Sequence, residues 1–174
     1  LHSFPTRRSS DLEVCVGDEP GVTGYAALPE LDDANSAVQT LGVDLEMTPG
    51  IAGADLVHSH TWYTNFAGYL AKLLYDIPLV VSAHSLEPLR PWKAEQLGGG
   101  YRVSSFAERI TYENADAVVA VSNGMRDDIL RSYPAVDPDK VHVIFNGIDL
   151  SRWHRPDTAE AEANAVEVRK RFGI

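Results

Sequence analysis

The chain has 174 residues, of which 44% are apolar types, and a formal net charge of -10, which is typical of one globular domain with a sizeable core. The acidic balance excludes a general nucleic-acid-binding or anionic-membrane surface, since those surfaces need an excess of Lys and Arg. No apolar run reaches the length of a transmembrane helix, and the single cysteine, Cys15, has no partner for an internal disulfide, so we expect a cytoplasmic protein without a membrane span.

The first twelve residues are set apart from the rest. Residues 2–12 read HSFPTRRSSDL, which matches a common sequencing-adapter oligonucleotide translated in one frame. A targeting signal is a competing interpretation because Arg7 and Arg8 are basic, but no apolar segment follows them and Asp11 intervenes. An ordinary exposed basic tail is a third. We treat residues 1–12 as an artefact and expect the natural amino-terminal sequence to be lost.

The chain proper is predicted to begin at Glu13 with the end of a strand over Val14–Val16 and a turn-rich loop over residues 17–21. A short helix should follow, which Gly42 can stop. Its apolar face consists of Leu31, Ala34, Val38 and Leu41.

Residues 55–93 predict two strands joined by a helix. Residues 55–60 begin apolar and end in His58-Ser59-His60, and residues 77–83 form an apolar, β-branched run followed by His84. The intervening apolar residues recur at helical spacing and are Trp62, Phe66, Leu70, Leu73 and Leu74. A right-handed crossover makes such strands parallel, so His60 and His84 should lie at the same carboxyl edge of the sheet. Open α/β sheets bind ligands along that edge.

Residues 86–100 contain two prolines and three consecutive glycines, which predict a long loop above the same edge. The glycines lack the G-x-G-x-x-G spacing of a dinucleotide site, so a flexible tether is favoured over a phosphate cradle.

The remaining elements alternate between helix and strand. The pattern predicts a helix around residues 103–113, a buried strand over 117–121 and a helix capped by Ser122 and Asn123. A strand over 141–145, closed by Asn146-Gly147, and a helix over 159–172 follow. This alternation implies an α/β, doubly wound and mostly parallel sheet.

Three stretches carry a resemblance to a known family: residues 55–62 (DLVHSHTW), 82–130 (beginning SAHSLEPLRPWK) and 141–156 (VHVIFNGIDLSRWHRP). Together they resemble the amino-terminal domain of a GT-B retaining glycosyltransferase of the family 4/5 type. More narrowly they are similar to actinobacterial glycogen synthases, including those that make α-maltose 1-phosphate.

The resemblance implies a Rossmann-like, acceptor-side domain over residues 13–150, with the interdomain linker and the start of a second domain over 151–174. The family's first strand, expected in the middle of the sheet, would precede Val14. Its carboxyl-terminal domain, which grips the donor diphosphate, would follow Ile174. We therefore expect a fragment that is inactive alone.

The implied reaction transfers glucose from ADP-glucose or UDP-glucose, with retention, to an α-glucan or to glucose 1-phosphate. It needs no cofactor and no metal, since the nucleotide sugar is a substrate. Such transfer passes through a cationic, oxocarbenium-like sugar, so the protein supplies orientation and charge complementarity.

The resemblance assigns roles to residues at the end of each strand. His84 matches the histidine that lines the donor-sugar pocket and is the catalytic candidate. His60 matches an acceptor-side residue, whereas His58 is predicted to be a satisfied core histidine. Thr61 stands where longer glycogen synthases carry an acidic residue. Trp62 is a candidate to stack on sugars, as are Trp92 and Trp153, and buried anchoring is the alternative.

Four polar residues are candidates to hold an acceptor phosphate, or else are solvated loop charges: Ser85, Arg90, Lys93 and Arg102. Asn123 and Gly124 at a helix amino terminus can offer amides to an anion, although capping alone also explains them. Asn146 and Gly147 match the family's motif before the interdomain hinge, and a simple turn uses the same residues.

Two functions of other classes compete with this one. His58, His60 and His84 are candidate metal ligands of a hydrolase, with Asp116 or Glu87 completing the site. The second is a non-catalytic sugar- or nucleotide-binding module.

Overall fold

The structure is a computed structural model that describes residues 23–151 and 159–173. The predicted strand at Val14–Val16, Cys15, residues 1–12 and Trp153 lie outside that part of the chain. The described part contains a four-stranded sheet with the spatial order β1-β2-β3-β4, and all neighbouring strands are parallel. The strands are β1 (Val57–His60), β2 (Leu79–Ala83), β3 (Ala117–Ala120) and β4 (Val141–Val143). The predicted α/β, Rossmann-like class with a parallel sheet is confirmed.

Helices connect the strands and cover the sheet, as the alternating pattern predicted. They are α1 (Ser36–Gly50), α2 (Trp62–Tyr75), α3 (Lys93–Leu97), α4 (Gly100–Asn114), α5 (Asn123–Ser132) and α6 (Ala159–Phe172). Short 3-10 turns occur at Pro29–Leu31, Glu87–Leu89 and Pro138–Lys140. The Ser122 hydroxyl accepts a hydrogen bond from the Met125 amide (3.0 Å), which confirms the predicted cap of α5. Strand β4 ends at Val143 and is shorter than predicted.

The unit β1-α2-β2 has the predicted connectivity, with His60 in register with Ser82. Its helix buries a different stripe from the one expected, because Leu73 and Leu74 are exposed while the small residues Gly68 and Ala71 are buried. A Cβ at Gly68 would lie 2.8 Å from Leu79 Cδ1. The small residues therefore bring α2 close to the sheet, and larger ones on that face would hold it away.

Helix α1 corrects the prediction that Gly42 ends a short helix. The helix begins after Asn35, whose side chain accepts from the Ala37 amide (3.0 Å), and continues through Gly42 to Gly50. A Cβ on residue 42 would lie 2.6 Å from Leu31 Cδ1. Glycine therefore lets Leu31 pack directly against the helix, and the helix continues through it despite a helix-propensity cost of about 1 kcal/mol.

The segment 86–100 is more ordered than the predicted loop and tether. It contains the 3-10 turn, α3, and a tight glycine turn in which Gly98 has φ +53°. Gly100 is buried, and a Cβ there would lie 2.1 Å from Asn35 Oδ1. The Asn35 side-chain Nδ2 also donates to the Leu97 carbonyl (2.9 Å). The glycines thus permit a close backbone contact with the start of α1, and the expectation of a flexible tether was wrong.

The main core lies between the sheet and the helices α4 and α5. Its strand members include Leu79, Val81, Val118 and Val141, all buried. Because the carboxyl ends of parallel strands share one edge, the core fixes the positions of the segments that leave β1, β2, β3 and β4.

Candidate functional site

Two histidines meet at the carboxyl edge of the sheet. His60 is the last residue of β1 and His84 directly follows β2, and their Nδ1 and Nε2 atoms are 3.0 Å apart. Their ring centroids are 5.4 Å apart. The predicted juxtaposition of these residues is confirmed.

The hydrogen bond between them constrains their protonation. One nitrogen must carry the proton and the other must accept it, so both rings cannot be doubly protonated while the bond exists. Burial, followed by the nearby charges of His58 and His84, lowers the pKa of His60. At neutral pH the neutral imidazole of His60 is therefore favoured.

His58 lies on the same face of β1 as His60, as strand alternation predicts, with ring centroids 4.4 Å apart. Its Nε2 is 2.8 Å from Ser82 Oγ. The expectation of a core position was wrong, because His58 is exposed whereas the intervening Ser59 is buried. Helix α2 covers the Ser59 face, and the described residues leave the histidine face open.

The arrangement does not support the alternative of a histidine metal centre. Among residues 23–151 and 159–173, no group of three or more His, Cys, Asp or Glu side chains is placed to hold a metal ion. Asp116 immediately precedes β3, at the opposite edge of the sheet, and accepts from Lys72 (2.5 Å) and from the Leu79 amide (2.8 Å). Glu87 is paired with Lys93 (2.8 Å).

The connection from β1 to α2 is strained. Thr61 has φ 64° and ψ 164°, a backbone region that a β-branched residue rarely adopts. Its hydroxyl and the indole nitrogen of Trp62 are buried without a hydrogen-bond partner in the described part of the chain. Trp62 itself is buried, which supports the anchoring alternative over sugar stacking, whereas Trp92 is 54% exposed.

The four candidate phosphate ligands have different surroundings. Arg90 Nη1 donates to Ser85 Oγ at 3.2 Å, and both residues are half-buried. Arg102 is exposed in the first turn of α4. Lys93 corrects the prediction: only 5% of it is exposed, and its ammonium pairs with Glu87. It is therefore neither a solvated loop charge nor an uncompensated cation.

A buried polar cluster beneath this loop was missed by the sequence analysis. Glu108 Oε1 accepts from the Glu87 amide (2.7 Å) and from the Tyr133 hydroxyl. Burial raises the pKa of Glu108 to about 7, and the Tyr133 hydrogen bond offsets this only in part. Glu108 directly follows the buried Ala107 on α4. A carboxyl beside the apolar face of a predicted helix is the sequence feature that could have indicated this buried cluster.

The remaining candidates stand at the ends of β3 and β4. Asn123 and Gly124 form the exposed first turn of α5, and Asn146 and Gly147 are exposed after β4. Their position at the carboxyl edge agrees with the sequence pattern, and their binding roles stay predictions. Four exposed apolar residues flank Asn146 and Gly147, namely Ile144, Phe145, Ile148 and Leu150.

No helix in the described residues is long and apolar enough to span a bilayer. The sequence matches the family model for Glycosyltransferase Family 4 over residues 38–152. That range covers β1 to β4 and the whole candidate edge.

Several curated proteins are similar to this chain. It is 54% identical over 165 residues to an alpha-maltose-1-phosphate synthase of Mycolicibacterium smegmatis, covering 93% of the chain and 42% of that protein. It is 56% identical over 164 residues to the protein of the same name from Mycobacterium tuberculosis, with the same coverage. A D-inositol 3-phosphate glycosyltransferase of Salinispora arenicola is 36% identical over 124 residues, which are 69% of the chain and 27% of that protein. The chain thus spans less than half the length of these relatives.

A solved structure supports the fold. The sucrose-phosphate synthase of Thermosynechococcus elongatus aligns with a TM-score of 0.60 at 19% identity, covering 80% of this chain and 36% of that one. At this identity the likeness supports the GT-B, Rossmann-like architecture alone.

Proposed function

The chain belongs to Glycosyltransferase Family 4, and on that premise we propose that it is the acceptor-side half of a hexosyltransferase. The complete enzyme would transfer glucose from ADP-glucose, with UDP-glucose as the alternative donor, and retain the anomeric configuration. The preferred acceptor would be glucose 1-phosphate, with an α-glucan as the alternative. The observation that carries the proposal is 54% identity over 93% of the chain to a protein named for α-maltose 1-phosphate synthesis.

The Ser85–Arg90 pair supports a phosphorylated acceptor. The chain is acidic overall, with a net charge of -10, so binding of a phosphate needs a local cation. Arg90 supplies one beside the Ser85 hydroxyl (3.2 Å), directly after His84. A guanidinium and a hydroxyl together match the acceptor oxygens of a phosphate monoester.

The histidine pair supports transfer through a cationic sugar. The imidazole of His84 at the sheet edge would orient the transferred sugar where positive charge develops in the transition state. His60 holds one nitrogen of that ring at 3.0 Å and so limits its rotation. In this proposal the groups that bind the donor diphosphate belong to the rest of the enzyme.

A transfer assay on the complete gene product tests the proposal. The protein would be incubated with ADP-glucose or UDP-glucose and with glucose 1-phosphate or glycogen. ¹H and ³¹P NMR spectra would identify the product and its anomeric configuration. We expect α-linked maltose 1-phosphate from ADP-glucose and glucose 1-phosphate. Binding of either substrate without turnover would instead indicate a non-catalytic binding module.

A further inference from the structure

A buried ion pair joins Glu87 and Lys93, the residues on either side of Arg90 in the loop. Glu87 and Lys93 are 1% and 5% exposed, and the carboxylate Oε1 lies 2.8 Å from the ammonium Nζ. Removing two charges from water costs several kcal/mol per ion, which their mutual attraction repays only in good geometry. A buried pair is therefore weak support for stability alone, and its effect on the shape of the loop is the stronger account.

The backbone of Arg90 is hydrogen-bonded to both members of the ion pair. The Arg90 amide donates to the Glu87 carbonyl (2.9 Å), and the Arg90 carbonyl accepts from the Lys93 amide (3.0 Å). The Tyr101 hydroxyl donates to the same Glu87 carbonyl (2.8 Å). Both peptide groups of Arg90 are thus bonded to the two residues whose side chains form the ion pair.

The pair is also fixed to the surrounding helices. Glu87 Oε2 accepts from the Ser104 hydroxyl of α4 (2.7 Å). Lys93 Nζ lies 6.0 Å from the ring centroid of Trp62 and 5.6 Å from that of Tyr63, at the start of α2. These distances suit cation-π contacts. The ammonium is therefore held between a carboxylate and two aromatic rings.

We propose that Glu87 and Lys93 are positioning residues that hold Arg90 against Ser85 and so preform the cradle for the acceptor phosphate. The inference rests on the proposed function, because it assigns the Ser85–Arg90 pair to that phosphate. In this proposal the Lys93 ammonium pairs with Glu87 inside the protein, and Arg90 is the cation that faces the ligand. Preforming the cradle lowers the cost of ordering a long side chain on binding.

Phosphate titration of paired variants tests the inference. Inorganic phosphate and glucose 1-phosphate would be titrated into the complete protein while the ¹H–¹⁵N signals of Ser85 and Arg90 are followed. Glu87→Gln combined with Lys93→Met removes the pair without leaving a lone buried charge. We expect Arg90→Ala to weaken both ligands by about tenfold, since a hydrogen bond to a charged group is worth about that factor. The double variant should approach the same loss, because Arg90 would no longer be held beside Ser85. Glu95→Gln, in exposed α3 sequence, should leave the dissociation constants unchanged.

A second measurement needs no variant. Hydrogen exchange in the unliganded protein should show the Arg90 amide protected to the level of the β2 amides, because it is bonded to a fixed carbonyl. A folded double variant that binds phosphate like the wild type would overturn the positioning role, as would rapid exchange of the Arg90 amide. If the wild type bound no phosphate while its Arg90 amide was protected from exchange, the assignment of Ser85 and Arg90 to the acceptor phosphate would be refuted. The conclusion that the loop is ordered would still hold.

Discussion

Replacement of Asp44 by asparagine should make the protein more stable than the wild type as the pH rises. Asp44 lies on α1 and is fully buried, and neither carboxyl oxygen has a hydrogen-bond partner in the described residues. Burial raises its pKa from 3.8 to about 8, and the nearby Ala67 amide offsets this only in part. The folded state therefore holds the proton that the unfolded chain releases. The stability that Asp44 contributes is therefore fully present below its unfolded pKa of 3.8, and it is lost as the pH rises towards the folded pKa of about 8.

The size of the expected stability loss follows from the pH range between the unfolded and folded pKa values of Asp44. Each pKa unit corresponds to about 1.4 kcal/mol, so two pH units inside the window should cost the wild type on the order of 3 kcal/mol. That is a large fraction of a typical folding free energy of about 5–15 kcal/mol. The amide introduced by Asp44→Asn carries no charge at any pH, so the variant should avoid this loss. Effects of Glu108, which titrates in both proteins, cancel in the difference.

Urea unfolding at several pH values between about 5.5 and 7.5 measures the effect by linear extrapolation. This range stays above the isoelectric point of about 4.9. Glu46→Gln is the matched control, because Glu46 is exposed on the same helix. We expect the free-energy difference between Asp44→Asn and the wild type to grow with pH, and that of the control to stay flat. Parallel curves for Asp44→Asn and the wild type would refute the reasoning.

Three further predictions concern other parts of the chain. In the complete enzyme, His84→Ala should reduce transfer by about a hundredfold or more without changing the unfolding midpoint, as for loss of a transition-state contact; near-normal turnover would contradict its catalytic role. Gly100→Ala should destabilise the protein by about 1–3 kcal/mol through overpacking, because its Cβ would lie 2.1 Å from Asn35 Oδ1. Gly99→Ala is the matched control, since a Cβ there has no atom within 4 Å. Equal unfolding midpoints for the two variants would contradict this. Because folding raises the Glu108 pKa from 4.5 to about 7, the wild type should lose stability over that pH range while Glu108→Gln does not. The difference in unfolding free energy between the variant and the wild type should grow by about 3 kcal/mol from pH 4.5 to 7. A constant difference in urea titrations would contradict this.

Errors in the sequence analysis arose where local preference and tertiary packing disagree. Gly42 is a helix-stopping residue by propensity, yet α1 continues through it, with Leu31 packed against the position where a side chain would begin. Leu73 and Leu74 have the spacing of a buried stripe, yet α2 packs through Gly68 and Ala71. In each case the deciding contact is with another element of the fold, Leu31 before α1 or Leu79 on β2, and helical spacing alone does not reveal it.

The sequence by itself determined the order of strands and helices and the place of His60 and His84 at one edge. Both follow from hydrophobic periodicity and the handedness of the crossover, which are local properties of the chain. Only the tertiary structure decided that Lys93 pairs with Glu87 and that Asp44 is buried without a partner in the described residues. The reason is that a charged side chain takes its protonation and its role from the groups packed around it, and those groups come from other elements of the fold.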